Sequence, residues 1–231
     1  MGNLDSNGPI GGKAERNRAI ILAAALEQFS KLGYAATRID DVADAVQLTR
    51  TGLFYYYRDK QTLYSAMLED AFRPLVERLG VVLVEEHRSI TERIELAAEA
   101  WVDAVVARPS LARLVLRFVA DGTNQPGTAI LSDNFENAAK FWALFTQGKN
   151  SGEIKPLLDD PFHAASALVG TTICYVSALS NLVPQGFSQP LNAAQVAGHK
   201  EQVLFSLRHV LGLKKTVNVT NENSSDRDRQ E

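Results

Sequence analysis

Apolar residues recur at spacings of three and four along almost the whole of this 231-residue chain, interrupted by short clusters of Gly, Pro, Asn, Asp and Ser. That period gives helices one buried face each, so the chain reads as all-α. Leu22, Ala25, Leu26, Phe29 and Leu32 line the first helix, and Gly33 ends it. A second helix follows, with Thr37 and Asp40 spaced as a capping box and Ile39, Val42, Ala43 and Val46 as its stripe. Leu48 breaks the phase, which predicts a turn at Gln47 to Thr49. Thr49 then caps a short third helix and Asp59 a long fourth, in which Pro74 predicts a kink or break near Asp70.

Further stripes follow: Ile94, Ala97, Trp101 and Val105; Leu111, Leu114, Val115 and Phe118; Phe135, Ala138, Trp142 and Phe145. Loops are expected at Gly122 to Gly127 and Gly148 to Gly152. Two last helices are expected at Pro161 to about Leu182 and at Asn192 to Leu211, the second striped by Val196, Val203, Leu207 and Val210. The polar end of the chain predicts a disordered tail over 214–231. With a flexible start at 1–12, the organisation reads as one helical domain at 13–60 and a second at 61–213.

A hydrophobic content of 45% excludes disorder throughout. No apolar run is long enough to span a bilayer and the start lacks a secretory pattern, so a cytoplasmic protein with no membrane partner is expected. Cys174, the single cysteine, reads as a small buried residue, and the four histidines have no metal-ligand spacing, so neither metal nor cofactor is expected. A net charge of −3 argues against a nonspecific nucleic-acid coat. Motifs of nucleotide, zinc and serine enzymes are absent, and the chain is not expected to be an enzyme.

The informative region is residues 13–60. Two short helices joined by a tight turn make a helix-turn-helix, whose second helix is narrow enough for the DNA major groove. That helix, about Thr49 to Tyr56, offers Arg50, Thr51, Tyr55 and Tyr56 outward, while Leu53 and Tyr57 pack back on Val42 and Val46. Arginine can pair with the guanine edge, and threonine can contact a thymine methyl or a phosphate. Gly52 either lets the backbone approach the sugar-phosphate edge or permits close packing within the protein. Three helix N-termini carry a cation beside the cap: Thr37 with Arg38, Thr49 with Arg50, Asp59 with Lys60. Helix N-termini attract phosphate. Asp40, Asp41 and Asp44 would repel DNA, so they are expected to point sideways or toward cations of the first helix.

Gly33-Tyr34, Thr37, Val42-Ala43, Leu48-Thr49-Arg50, Leu53-Phe54-Tyr55-Tyr56-Tyr57, Lys60 and Leu63 together resemble the N-terminal DNA-binding domain of TetR-family transcriptional regulators, in order and spacing over about residues 15 to 64. The resemblance implies that Thr37, Arg38, Thr49 and Lys60 anchor phosphates and that Arg50, Thr51, Tyr55 and Tyr56 face the groove. It also implies a homodimer through the two C-terminal helices, a double-stranded DNA operator, and a small-molecule effector bound in 61–213. Gln47 stands where the family usually has the glycine of the turn, so it must adopt a left-handed conformation or the turn must differ. Phe54 replaces a usual tyrosine and lacks the hydroxyl that would reach a phosphate.

Trp101, Phe118, Phe141, Trp142, Phe145 and Tyr175 are the side chains from which an effector pocket could be built; core packing is the simpler explanation of each, since stripes at helical spacing need no ligand. The small residues of 161–182 fit either a helix-to-helix interface between subunits or burial within one. The expected function is a one-component repressor, and the alternative is a helical adaptor or ligand-binding protein whose DNA binding is weak or lost.

Overall fold

The computed structural model describes residues 9–121, 130–179, 182, 184 and 189–213. Among these residues the secondary structure is entirely helical: α1 Pro9–Ala36, α2 Ile39–Ala45, α3 Arg50–Tyr56, α4 Lys60–Val82, α5 Ile90–Ala107, α6 Pro109–Asp121, α7 Ile130–Ser151, α8 Pro161–Cys174 and α9 Ala193–Leu211, with a π-helical turn at Tyr175–Leu179. The sequence-expected loop at 122–127 and tail at 214–231 lie outside the described residues. Helix α1 begins at Pro9, inside the stretch expected to be flexible.

Local chemistry explains most boundaries. Gly33, with φ 80° and ψ 170°, occupies a conformation that only glycine adopts cheaply, and it turns the end of α1 toward α2. Asp59 Oδ1 accepts from Thr62 N at 2.7 Å to start α4, and a Ser89–Glu92 capping box starts α5. At α2 the cap differs from expectation by one residue. Arg38 is the cap, and its N–H donates to Asp41 Oδ2 at 3.0 Å, so Asp41 rather than Asp40 completes the box.

Two apolar cores hold the helices. The first joins Ile21, Ala25 and Phe29 of α1, Val42 of α2, Leu53 of α3 and Leu63, Met67 and Leu68 of α4 to Leu111 and Leu114 of α6 and Ile173 of α8. It therefore runs without interruption from the helix-turn-helix into the C-terminal region. The second gathers Leu83, Ile90, Ile94, Leu144, Phe145, Ile154, Leu204, Leu207 and Leu211 from the end of α4, from α5, α7 and α9, and from the segment after α7. A polar tie reinforces the first: Glu27 of α1 accepts from Ser110 Oγ at 2.7 Å and Arg113 Nη2 at 2.8 Å of α6. Burial pushes the Glu27 carboxyl up, but the Ser110 hydrogen bond and the charges of Arg113 and Lys31 outweigh it and hold the group below its ordinary value.

Several sequence readings need correction. Helix α4 continues through Pro74 without a break. Helix α7 is rotated by about one position: Asn137, Leu144, Phe145 and Gly148 face inward, whereas Ala138 and Trp142 are exposed. The α8 helix gives way at Tyr175 to the π-helical turn. Cys174 is exposed on α8, Leu32 is exposed at the end of α1, and Ile21, outside the expected stripe, is buried.

Candidate nucleic-acid interface

The turn between α2 and α3 is made by Gln47 itself, in the left-handed conformation with φ 58°. Its N–H donates to Asp44 O at 3.1 Å, and Leu48 N donates to Ala43 O at 2.9 Å, so the α2 carbonyls are satisfied as they would be with glycine. Thr49 Oγ1 then accepts from Gly52 N at 3.0 Å and fixes the start of α3. A methyl group at Gly52 would lie 3.2 Å from that same oxygen, so a larger residue would press on the cap by a few tenths of an ångström.

Leu53 is fully buried and Tyr57 nearly so; they bolt α3 to the core and leave its other side uncovered. Tyr55 is 85% exposed, and Thr51 and Arg50 are exposed beside it. Tyr56 is half-buried, its hydroxyl accepting from Asn17 Nδ2 of α1 at 2.9 Å. Arg50 Nη1 donates to Asp40 Oδ2 at 2.7 Å, and its guanidinium lies 5.4 Å from the Phe54 ring. Asp40 thus turns toward α3, and Asp41 caps its own helix; neither pairs with a cation of α1 among the described residues.

The expected phosphate anchors divide. Arg38 and Thr49 are exposed at the starts of α2 and α3. Lys60 Nζ donates to Ala35 O at 3.1 Å and sits 4.6 Å from the Tyr34 ring centroid, and burial lowers its pKa. Its charge remains at the N-terminus of α4, on the side where the chain leaves α1. Thr37 is the correction. It is buried, and its hydroxyl donates to Gly33 O at 2.8 Å, so the side chain is spent on the α1 terminus and is not presented to a phosphate.

The six aromatic candidates for an effector pocket do not meet in one place. Trp101, Phe118 and Tyr175 pack against the first core, Phe141 and Phe145 belong to the second, and Trp142 is 54% exposed. Two polar side chains that the sequence reading passed over stand out instead. His199 is buried, its ring stacked 3.8 Å from Tyr175 with its Nε2 unpartnered, and Arg93 is buried with an unpartnered Nε. Neither has a motif. Only the burial of a polar residue inside an otherwise apolar stripe marks them.

A short, capped second helix with one buried and one bare side, set after a four-residue turn, is the arrangement of a DNA-binding helix-turn-helix. Residues 21–67 match the family model described as bacterial regulatory proteins, tetR family. On this match the chain is similar, over its N-terminal part, to the bacterial regulatory proteins of the tetR family. It is 35% identical over 69 residues to the HTH-type transcriptional regulator RutR of Escherichia coli K12, a stretch covering 27% of this chain and 32% of RutR. The matched stretch therefore spans about a third of that relative. The fold is similar beyond it. A structure of AibR in complex with isovaleryl coenzyme A and operator DNA superimposes with a TM-score of 0.63 at 18% identity, over 82% of this chain and 97% of that one. The ketosteroid transcriptional regulator KstR2 of Mycobacterium tuberculosis gives 0.62 at 18% identity, over 89% and 97%.

Proposed function

We propose that the chain is a cytoplasmic one-component transcriptional repressor that binds a near-palindromic operator as a homodimer and is released by a small-molecule effector. The uncovered outer side of α3 supports this most directly. Thr51 and Tyr55 project from a helix seven residues long whose inner side is fully committed to the core. Arg38, Thr49 and Lys60 flank it at three helix starts, where phosphates of the two groove walls would lie.

A single α3 contacts too few base pairs for useful selectivity, and a two-fold pair spaced by about one DNA turn multiplies it. Phe162 of α8 and Phe205 of α9 are 69% and 72% exposed, which supports pairing of these two helices with their copies. Titration of the protein against the DNA upstream of its own gene, at about 50 and 200 mM salt, tests the reading: affinity should be well above that for random DNA and should fall steeply with salt. The Arg50–Asp40 ion pair and the missing hydroxyl at Phe54 favour the adaptor as second reading. Affinity no better than for random DNA would establish it.

A further inference from the structure

The C-terminal end of α4, the start of α5 and the last half of α7 enclose an open cleft of about 670 Å³ lined by Leu83, Ser89, Ile90, Arg93, Lys140 and Glu153, among others. Arg93 is 8% exposed, so its guanidinium is almost wholly removed from water. A buried full charge is costly unless an opposite charge faces it. Among the described residues none does. Nη2 donates to the Leu83 carbonyl at the end of α4, which offers only a partial negative charge, and Nε has no partner. The other two cations of the cleft are already matched, Arg88 to Glu85 at 2.8 Å and Lys140 to Glu136 at 2.7 Å.

The acids of the cleft do not answer Arg93 either. Glu86 forms no ion pair among the described residues, and Glu153 Oε1 is held by Thr91 N at 3.0 Å in the first turn of α5. That contact shows a carboxylate already drawn to the positive end of α5, beside the cleft wall formed by Ser89 and Ile90. Arg93 thus lines the cleft as a buried cation with no acid partner among the described residues.

We propose that this cleft binds a small anion, a carboxylate or phosphoryl group, through Arg93. If the repressor reading above holds, that group is the acidic part of the effector. The same cleft includes Leu83 and Val84 at the end of α4, whose other end, about 35 Å away at 1.5 Å per residue, begins directly after α3. An anion held by Arg93, whose Nη2 already donates to the Leu83 carbonyl, therefore acts at the far end of the helix that carries the DNA-reading unit.

Thermal unfolding of the full chain in sodium phosphate, sodium citrate or sodium hexanoate, each against sodium chloride of equal ionic strength, tests the site. At least one of the three should raise Tm by roughly 5–10 °C near 100 times its Kd. A response to phosphate alone assigns a phosphoryl group, and one to citrate or hexanoate a carboxylate. Arg93→Met, similar in length and uncharged, should abolish the rise and leave the ligand-free protein as stable or more so. An unchanged rise in Arg93→Met, or no rise in the wild type over chloride, overturns the proposal. Calorimetric titration of the wild type with the same salts decides the matter should the variant not fold. Operator affinity measured with and without the bound anion is a separate reading: binding that leaves it unchanged keeps the site and removes only its role as effector site.

Discussion

Arg108 Nη1 lies 3.3 Å from the carbonyl oxygen of Asp70. Four residues beyond Asp70 stands Pro74, which has no N–H to give that carbonyl, so the guanidinium at the end of α5 supplies the donor that proline removes. A second contact, 3.5 Å from Arg108 Nη1 to Asp70 Oδ2, anchors the same pair. The contact offsets part of what Pro74 costs α4. Arg108→Ala should cost about 0.5–1 kcal/mol, since the contact is half-exposed. In a Pro74→Ala background, where the restored backbone N–H at that position donates to the Asp70 carbonyl itself, the same change should cost clearly less. Urea unfolding of the four proteins measures the coupling, and additive costs would show that Arg108 does not substitute for the missing donor.

Gln47 holds a left-handed backbone that costs a non-glycine residue roughly 1 kcal/mol. Gln47→Gly should raise stability by up to about 1 kcal/mol, less the extra entropy of a glycine in the unfolded chain. A higher urea midpoint at unchanged slope is the expected result. A lower midpoint would mean that the Gln47 side chain contributes more than its backbone costs.

The Arg50–Asp40 ion pair places a carboxylate beside the proposed base-reading guanidinium. Both side chains are half-exposed, so the pair itself contributes at most ~1 kcal/mol to the fold. Asp40→Asn should therefore leave Tm almost unchanged while strengthening operator binding several-fold at low salt, because one repulsion with the phosphates is removed. Arg50→Ala should cost roughly 1–3 kcal/mol and relax the preference at one base position, whereas Lys60→Ala should weaken all sequences alike. Competition gel shifts over a set of single-base operator variants distinguish the two patterns. A uniform loss for Arg50→Ala would reassign it to the phosphate backbone.

The contrast between what the sequence disclosed and what it did not is physical. Capping residues act over three or four positions, so the starts of α3 and α4 at Thr49 and Asp59 were legible, as was the inward side of α3 at Leu53 and Tyr57. Thr37 was misjudged because its partner, the Gly33 carbonyl, is exposed only by the unusual backbone of that glycine. The rotation of α7 hid for a related reason. Phe141, Trp142 and Phe145 allow two apolar faces one residue apart, and the buried Asn137, whose Nδ2 donates to Val76 O at 3.0 Å, helps choose between them. Pairing of Arg108 with Asp70, or isolation of Arg93, depends on residues that only the tertiary fold brings together.

His199 offers a test of the C-terminal core by pH. It is 4% exposed and stacks on Tyr175 with an interplanar angle of 3°, and burial lowers its pKa below the ordinary 6.5. The folded protein thus keeps the ring neutral at a pH where the unfolded chain has begun to take up a proton. Stability contributed by the neutral ring is complete above about pH 6.5 and declines as pH falls below it, by at most ~1.4 kcal/mol per unit until the depressed folded value is reached. The Lys200–Asp103 ion pair, 2.6 Å from Nζ to Oδ1, follows directly along α9. His199→Phe keeps a flat ring for Tyr175 and cannot titrate. Urea midpoints measured from pH 7.5 to 5.5 should fall more steeply for the wild type than for this variant, the other three histidines being exposed in both. Parallel pH profiles would show that the imidazole reaches water, and that the space between α8 and α9 at Tyr175 is wet.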